Sequence, residues 1–151
     1  MSVASLCKRD AVTIPIGNDL VSAGQLMREQ HVGYLVVTEA ARTGTAVPVG
    51  VITDRDIVIS VVAREVNPRN VTVGDAMTRN PLVLEEHCSL NTALMKMRQI
   101  GVRRAPVVDA SGGLMGVLSV DDVLDELAAQ LVNIAGSIRN EQRFERSLRA
   151  S

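Results

Sequence analysis

Gly50-Val51-Ile52-Thr53-Asp54-Arg55-Asp56 runs from an apolar stretch into a hydroxyl, and a carboxylate follows three positions after that hydroxyl. Gly116-Val117-Leu118-Ser119-Val120-Asp121-Asp122 has the same grammar, with Ser119 and Asp122 in those two places. In both stretches the pattern of a strand gives way to the spacing of a helix. A chain that writes one strand-to-helix junction twice is built from two copies of one unit.

Working outward, a shift of 70 positions aligns Met27-Arg28 with Met97-Arg98. The same shift pairs Leu20 with Leu90, Ala23 with Ala93, Val32 with Val102 and Val37 with Val107. Beyond that point the shift becomes 66, so the first copy carries four extra residues, within the polar segment 39–46. A surface loop between strands accepts such an insertion at little cost. Each copy then reads alike. Val12–Ile14 and Leu82–Leu84 are short strands, and Asp19 and Ser89 are N-cap residues for helices with apolar side chains at helical spacing. Tyr34–Val37 and Ala105–Val108 follow as strands, then Val47–Ile52 and Leu114–Leu118. A helix closes each copy, from Arg55 to about Val66 and from Val120 onward.

The order strand, helix, strand, strand, helix, written twice, predicts an α+β fold of two β-α-β-β-α repeats. A unit of about 50 to 60 residues buries too little surface to stand alone. Packing the two sheets as a pseudo-twofold pair solves that, and a helical extension follows at the C-terminus.

Composition narrows the function. Of 151 residues, 46% are apolar and 22% charged, as in a globular protein. One Tyr, one Phe and no Trp leave a core of aliphatic residues and argue against an aromatic platform for single-stranded nucleic acid. A net charge of −1 gives no general pull toward nucleic acid or anionic membrane. No apolar run approaches the roughly 18 residues of a membrane span. The residues from Met1 to Asp10 lack the apolar heart of a signal peptide. Cys7 and Cys88 are isolated thiols, so the expected location is cytoplasmic.

The junctions admit two readings. Thr53 with Asp56, and Ser119 with Asp122, have the spacing of a capping box that closes a helix N-terminus. The same groups suit a ribose phosphate: helix N–H groups welcome phosphate, and a carboxylate accepts hydrogen bonds from ribose hydroxyls. Arg55 adds a cation at the first junction, where the second has Asp121. On this basis the first junction is the better phosphate site.

Together with Gly101-Val102-Arg103-Arg104-Ala105-Pro106-Val107-Val108-Asp109, these two junctions make the chain resemble a tandem pair of CBS domains, a Bateman module, over roughly residues 7–127. The resemblance implies a first CBS repeat at 7–66, a linker at 67–76, a second repeat at 77–127 and a helical tail at 128–151. It implies an adenosine-containing ligand (AMP, ADP, ATP or NAD) in clefts between the repeats. Thr53 and Asp56 would then hold one ribose, against Val12, Gly33, Tyr34 and Leu35. Ser119 and Asp122 would hold the other, against Leu82, Arg103, Arg104, Ala105 and Pro106. The difference between Gly33-Tyr34-Leu35-Val36 and Arg103-Arg104-Ala105-Pro106 makes the two sites unequal. If Arg103 and Arg104 lie in a strand, they point to opposite faces.

The remaining candidates carry less. His31 and His87 lack spaced partners for a metal, and no nucleophile or histidine base neighbours the paired aspartates, so no catalytic residue and no catalytic cofactor is expected. Met27, Met95 and Met97 read as core filler. In the tail, Leu124, Leu127, Leu131 and Ile138 recur at helical intervals, and Gly136 is expected to kink or end the helix. The reading is a non-enzymatic regulatory module that senses an adenine nucleotide, forms a homodimer through the helices near 20–30 and 90–100, and signals to a separate effector protein. The alternative is a purely structural interaction module whose junctions only cap helices.

Overall fold

The computed structural model describes residues 2–42 and 44–149. Thr43 in the expected insertion, and Ala150 and Ser151 in the expected tail, lie outside the described residues.

Short helix α1 (Val3–Leu6) leads to β1 (Thr13–Pro15), α2 (Leu20–Gln30), β2 (Tyr34–Ala40) and β3 (Ala46–Thr53). The first repeat ends in α3 (Asp54–Ile57), which continues as a π-helical stretch, Val58–Val62. After a 3-10 turn at Pro68–Asn70 come α4 (Val73–Ala76), β4 (Thr78–Arg79), β5 (Leu84–Glu85), α5 (Leu90–Ile100), β6 (Arg104–Val108), β7 (Leu114–Ser119) and the long α6 (Val120–Arg149). The expected α+β repeat and C-terminal helix are therefore present.

Local chemistry explains the helix starts. Asp19 and Ser89 accept hydrogen bonds from the backbone N–H of Ser22 and Thr92, which satisfies free donors of the first turn. Both helices stop at left-handed residues, His31 (φ 54°) and Gly101 (φ 80°). In each repeat the first strand runs parallel to the second, and the second pairs antiparallel with the third. The extra residues of the first copy lengthen its hairpin, since Glu39 and Ala40 pair with Val47 and Ala46, whereas the second hairpin pairs no further than Val108 with Leu114.

Two cores form, and the chain crosses between them. The first gathers Ile14, Leu20, Ala23, Leu35 and Ile52, together with Val73 and Met77 from the α4 segment that follows the repeat. The second gathers Leu84, Ala93, Met97, Ala105 and Leu118, together with Val3 from the chain's own beginning. The crossing extends to the sheets. Thr78 and Arg79 pair with Val51 and Gly50 at the edge of the first sheet, and Lys8 pairs with Val117 at the edge of the second. The shift of 70 that relates the repeats also relates Lys8 to Thr78, so the exchange obeys the pseudo-twofold.

Gly50 and Gly116 let these segments approach. A Cβ on Gly50 would strike the Met77 sulfur and sit 3.0 Å from the Thr78 carbonyl oxygen; one on Gly116 would strike the Lys8 carbonyl oxygen. The glycine that opens each junction thus belongs to the packing of the exchanged segment.

Three expectations change. Met95 is 64% exposed, unlike Met27 and Met97, because it lies on the outer side of α5. Helix α6 continues through Gly136, whose propensity cost of about 1 kcal/mol is small over so long a helix. Leu20, Ala23 and Met27 of α2 are consumed inside the first core, as are Ala93 and Met97 of α5 inside the second, so these faces are not free to hold a partner. Among the described residues no helix is long and apolar enough to cross a membrane.

Candidate functional site

A cleft of about 470 Å³ opens where the two repeats meet. The first repeat supplies Val12 ahead of β1, His31 and Gly33 at the turn after α2, and Tyr34 at the start of β2. The second supplies Arg104 at the start of β6, Ser119 at the end of β7, and Asp121 and Asp122 in the first turn of α6. Lys8 and Asp10 come from the exchanged N-terminal segment.

Tyr34 and Arg104 occupy equivalent places in the two repeats, and they meet: the Arg104 guanidinium lies 5.9 Å from the centre of the Tyr34 ring. The pseudo-twofold therefore passes close to this contact. The Tyr34 hydroxyl is buried and has no hydrogen-bond partner among the described residues. Burial holds its pKa well above the ordinary phenol value, against the opposing pull of the nearby Arg104 charge.

The two junctions differ in how their carboxylates are used. At the first, Asp56 Oδ2 accepts from the Thr53 backbone N–H at 2.8 Å and from Thr53 Oγ1 at 2.9 Å. The Asp56 N–H returns a bond to Thr53 Oγ1 at 3.2 Å, completing a capping box. Arg55 is exposed and gives its backbone N–H to Asp54.

At the second junction the box does not form. The Asp121 N–H donates to Ser119 Oγ at 3.2 Å, one residue earlier than in the first repeat. Asp122 is thereby released from capping, and its Oδ1 lies 2.6 Å from Lys8 Nζ. This pairing raises the Lys8 pKa above its ordinary value, chiefly through the hydrogen bond to Asp122.

Asp121 stands where the first repeat has Arg55, and it gathers both arginines: Arg103 Nη2 at 2.6 Å and Arg104 Nη2 at 3.8 Å. The hydrogen bond from Arg103 keeps the Asp121 carboxyl below the usual carboxylate range. The expected divergence of the two arginines is corrected here. Arg103 precedes β6, so strand alternation does not apply to it, and both side chains turn to one carboxylate.

Six of the sequence-predicted residues therefore converge: Val12, Gly33, Tyr34, Arg104, Ser119 and Asp122. They do so across the expected grouping, because Val12, Gly33 and Tyr34 face the second junction's Ser119 and Asp122 within this cleft. Thr53, Arg55, Asp56, Leu82 and Arg103 are outside its lining. Leu35 and Ala105 are fully buried in the cores and Pro106 is buried in β6, so their side chains are committed to packing. Lys8, Asp10, His31 and Asp121 line the cleft without having been anticipated as site residues. For Lys8 the signal was the shift of 70, which relates it to a residue beside the first junction.

The model of the CBS domain matches residues 3–63 and 73–129. The chain belongs to the CBS-domain family. Its relatives include an uncharacterized protein of Methanopyrus kandleri, 34% identical over 124 residues that make up 82% of this chain and 61% of that one. YlbB of Bacillus subtilis, also uncharacterized, is 30% identical over 136 residues, 89% of this CBS chain and 86% of its own. The chain spans less than two thirds of the Methanopyrus protein and only 22% of a CBS domain-containing protein of Arabidopsis thaliana.

Solved structures show the same fold. A CBS-domain protein of Burkholderia ambifaria superposes with a TM-score of 0.73 at 26% identity, covering 85% of this chain and 95% of that one. The CBS domain pair of protein MJ0100, in complex with 5-methylthioadenosine and S-adenosyl-L-methionine, gives 0.71 at 21% identity over 86% of this chain and 98% of that one.

Proposed function

We propose that this CBS pair is a non-catalytic regulatory module whose inter-repeat cleft binds an adenosine-containing nucleotide and passes the occupied state to a separate effector protein. One observation carries the proposal: a carboxylate released from capping (Asp122), a hydroxyl (Ser119) and two cations (Lys8, Arg104) share one cleft with Val12 and the Tyr34 ring. Asp122 and Ser119 suit ribose hydroxyls, the cations suit phosphate, and the apolar wall suits a purine. The adenosine compounds held by the MJ0100 pair support the ligand class. Lys8 and Arg104 favour the anionic members AMP, ADP, ATP and NAD over a cationic sulfonium.

The first junction is the weaker candidate for a second ligand, because Thr53 and Asp56 already serve one another. That capping box also supports the purely structural reading for this half. A cytoplasmic homodimer completes the proposal, with the hexameric CBS-CP12 protein of cyanobacteria as a precedent for assembly in the family.

Thermal unfolding in the presence of AMP, ADP, ATP, NAD or 5-methylthioadenosine tests the proposal. A ligand at 100 times its dissociation constant adds about 2.7 kcal/mol of stability. No shift with any of them at millimolar concentration sinks the sensor reading and leaves the structural one.

A further inference from the structure

Helix α6 leaves the body of the protein early. Val123 is buried in the second core, but from Leu131 to Ser147 no side chain is buried. In proteins most helical stability comes from packing of an amphipathic face, so a helix that projects this far calls for something to cover its apolar side. Such a face exists. Leu124, Leu127, Leu131, Ile134 and Ile138 alternate spacings of three and four residues, and they are 59%, 41%, 67%, 58% and 53% exposed. This is the spacing of a coiled-coil seam.

We infer that the seam is covered by α6 of a second copy of this chain, lying antiparallel. Two features of the sequence select this occupant and this direction. First, Glu141 and Glu145 hold the next two seam positions after Ile138. In a parallel, in-register pair each glutamate would face its own copy inside the seam, whereas an antiparallel pair centred near Leu131 sets Leu124 beside Ile138 and keeps each glutamate far from its own copy. Second, the acids lead. Residues 120–134 carry Asp121, Asp122, Asp125 and Glu126 and no base; Arg139 is the first cation, and beyond it Arg143 and Arg146 alternate with Glu141 and Glu145.

A helix's own dipole explains acids in its first turn and bases in its last. It does not reach Asp125, Glu126 or Arg139. Antiparallel pairing does, because it brings Arg139 of each helix beside Asp122, Asp125 and Glu126 of the other. The arrangement is isologous and closes as a dimer. The seam lies outside the nucleotide cleft, and the inference rests only on the homodimer part of the proposed function.

Sedimentation of the full chain, with and without Leu131→Lys and Ile138→Lys together, tests it. Both residues are exposed within one chain, so the body should keep its fold while the dimer becomes monomer. A dimer that survives the two lysines overturns the seam but leaves the homodimer. A wild-type monomer at tens of micromolar overturns both and assigns the face to another protein. Orientation is read from spin labels on Gln142→Cys in a Cys7→Ser, Cys88→Ser background. At a rise of 1.5 Å per residue, antiparallel helices centred near Leu131 place the two labels roughly 30 Å apart. A separation of roughly 10 Å, the width of a parallel pair, overturns the antiparallel assignment.

Discussion

Lys8 reaches Asp122 from the opposite end of the sequence, and this one pair separates the two junctions chemically. Asp56 spends its carboxylate on its own helix, while Asp122 spends its own on a largely exposed cation that a phosphate can draw away. Lys8→Ala should therefore weaken binding of ATP by about tenfold and leave adenosine nearly unchanged, whereas Asp122→Ala should weaken both, as isothermal titration would show; tenfold corresponds to 1.4 kcal/mol. Thr53→Ala should act differently. It removes a cap, costs about 1 kcal/mol in urea unfolding, and leaves nucleotide affinity in the cleft intact. Acid sensitivity follows Asp121. Its folded pKa lies below the unfolded one, so its contribution is complete at neutral pH and disappears as pH falls through the folded value. Asp121→Asn should flatten that part of the stability profile on the acid side, measured by thermal melts at a series of pH values.

At the scale of elements, the glycines at 33 and 116 make a useful contrast. A Cβ at Gly33 would come within 2.7 Å of Asp54 Oδ2, the tip of an exposed side chain that can swing aside. One at Gly116 would strike backbone: the Lys8 carbonyl oxygen, with the Lys8 carbonyl carbon at 2.9 Å and the Arg9 Cα at 3.2 Å. Gly116→Ala should cost roughly 1–3 kcal/mol, as overpacking does, and displace Lys8 from the cleft. Gly33→Ala should cost less than about 0.5 kcal/mol. Urea titrations of both variants check the difference; equal costs would contradict the close approach of the N-terminal segment. The same glycines mark the limit of what the sequence discloses. The element order and the caps at Asp19 and Ser89 were legible because each depends on neighbours a few residues away. The junctions were legible as a repeated pattern, yet whether a carboxylate caps depends on which N–H takes the hydroxyl, and what it then meets depends on Lys8, which no local pattern connects to Asp122. For the same reason the cleft mixes residues that a repeat-by-repeat reading assigns to separate sites.

At the scale of the whole molecule, the exchanged segments bind the halves into one folding unit. Val3 is fully buried in the second core, although it precedes the first repeat, and Val73 is fully buried in the first. Neither core is complete without chain that belongs, by sequence, to the other, and neither repeat is large enough to compensate. Val3→Ala removes part of a buried side chain worth about 1.5–3 kcal/mol and should lower stability by a good fraction of that. The more informative quantity is where the loss is felt. Tyr34 is the sole tyrosine and stands in the first repeat against Arg104, so its fluorescence reports that half together with its docking on the mutated one. If the exchange couples the halves, Tyr34 fluorescence and far-ultraviolet circular dichroism should follow one urea transition, displaced to the same lower midpoint in Val3→Ala. Independent repeats would instead divide both signals into two steps, the second repeat melting at a lower midpoint while the first keeps its own. A single displaced transition would also explain how a ligand in the shared cleft stabilises the entire chain, because the groups that hold it come from both halves and from the segment they exchange.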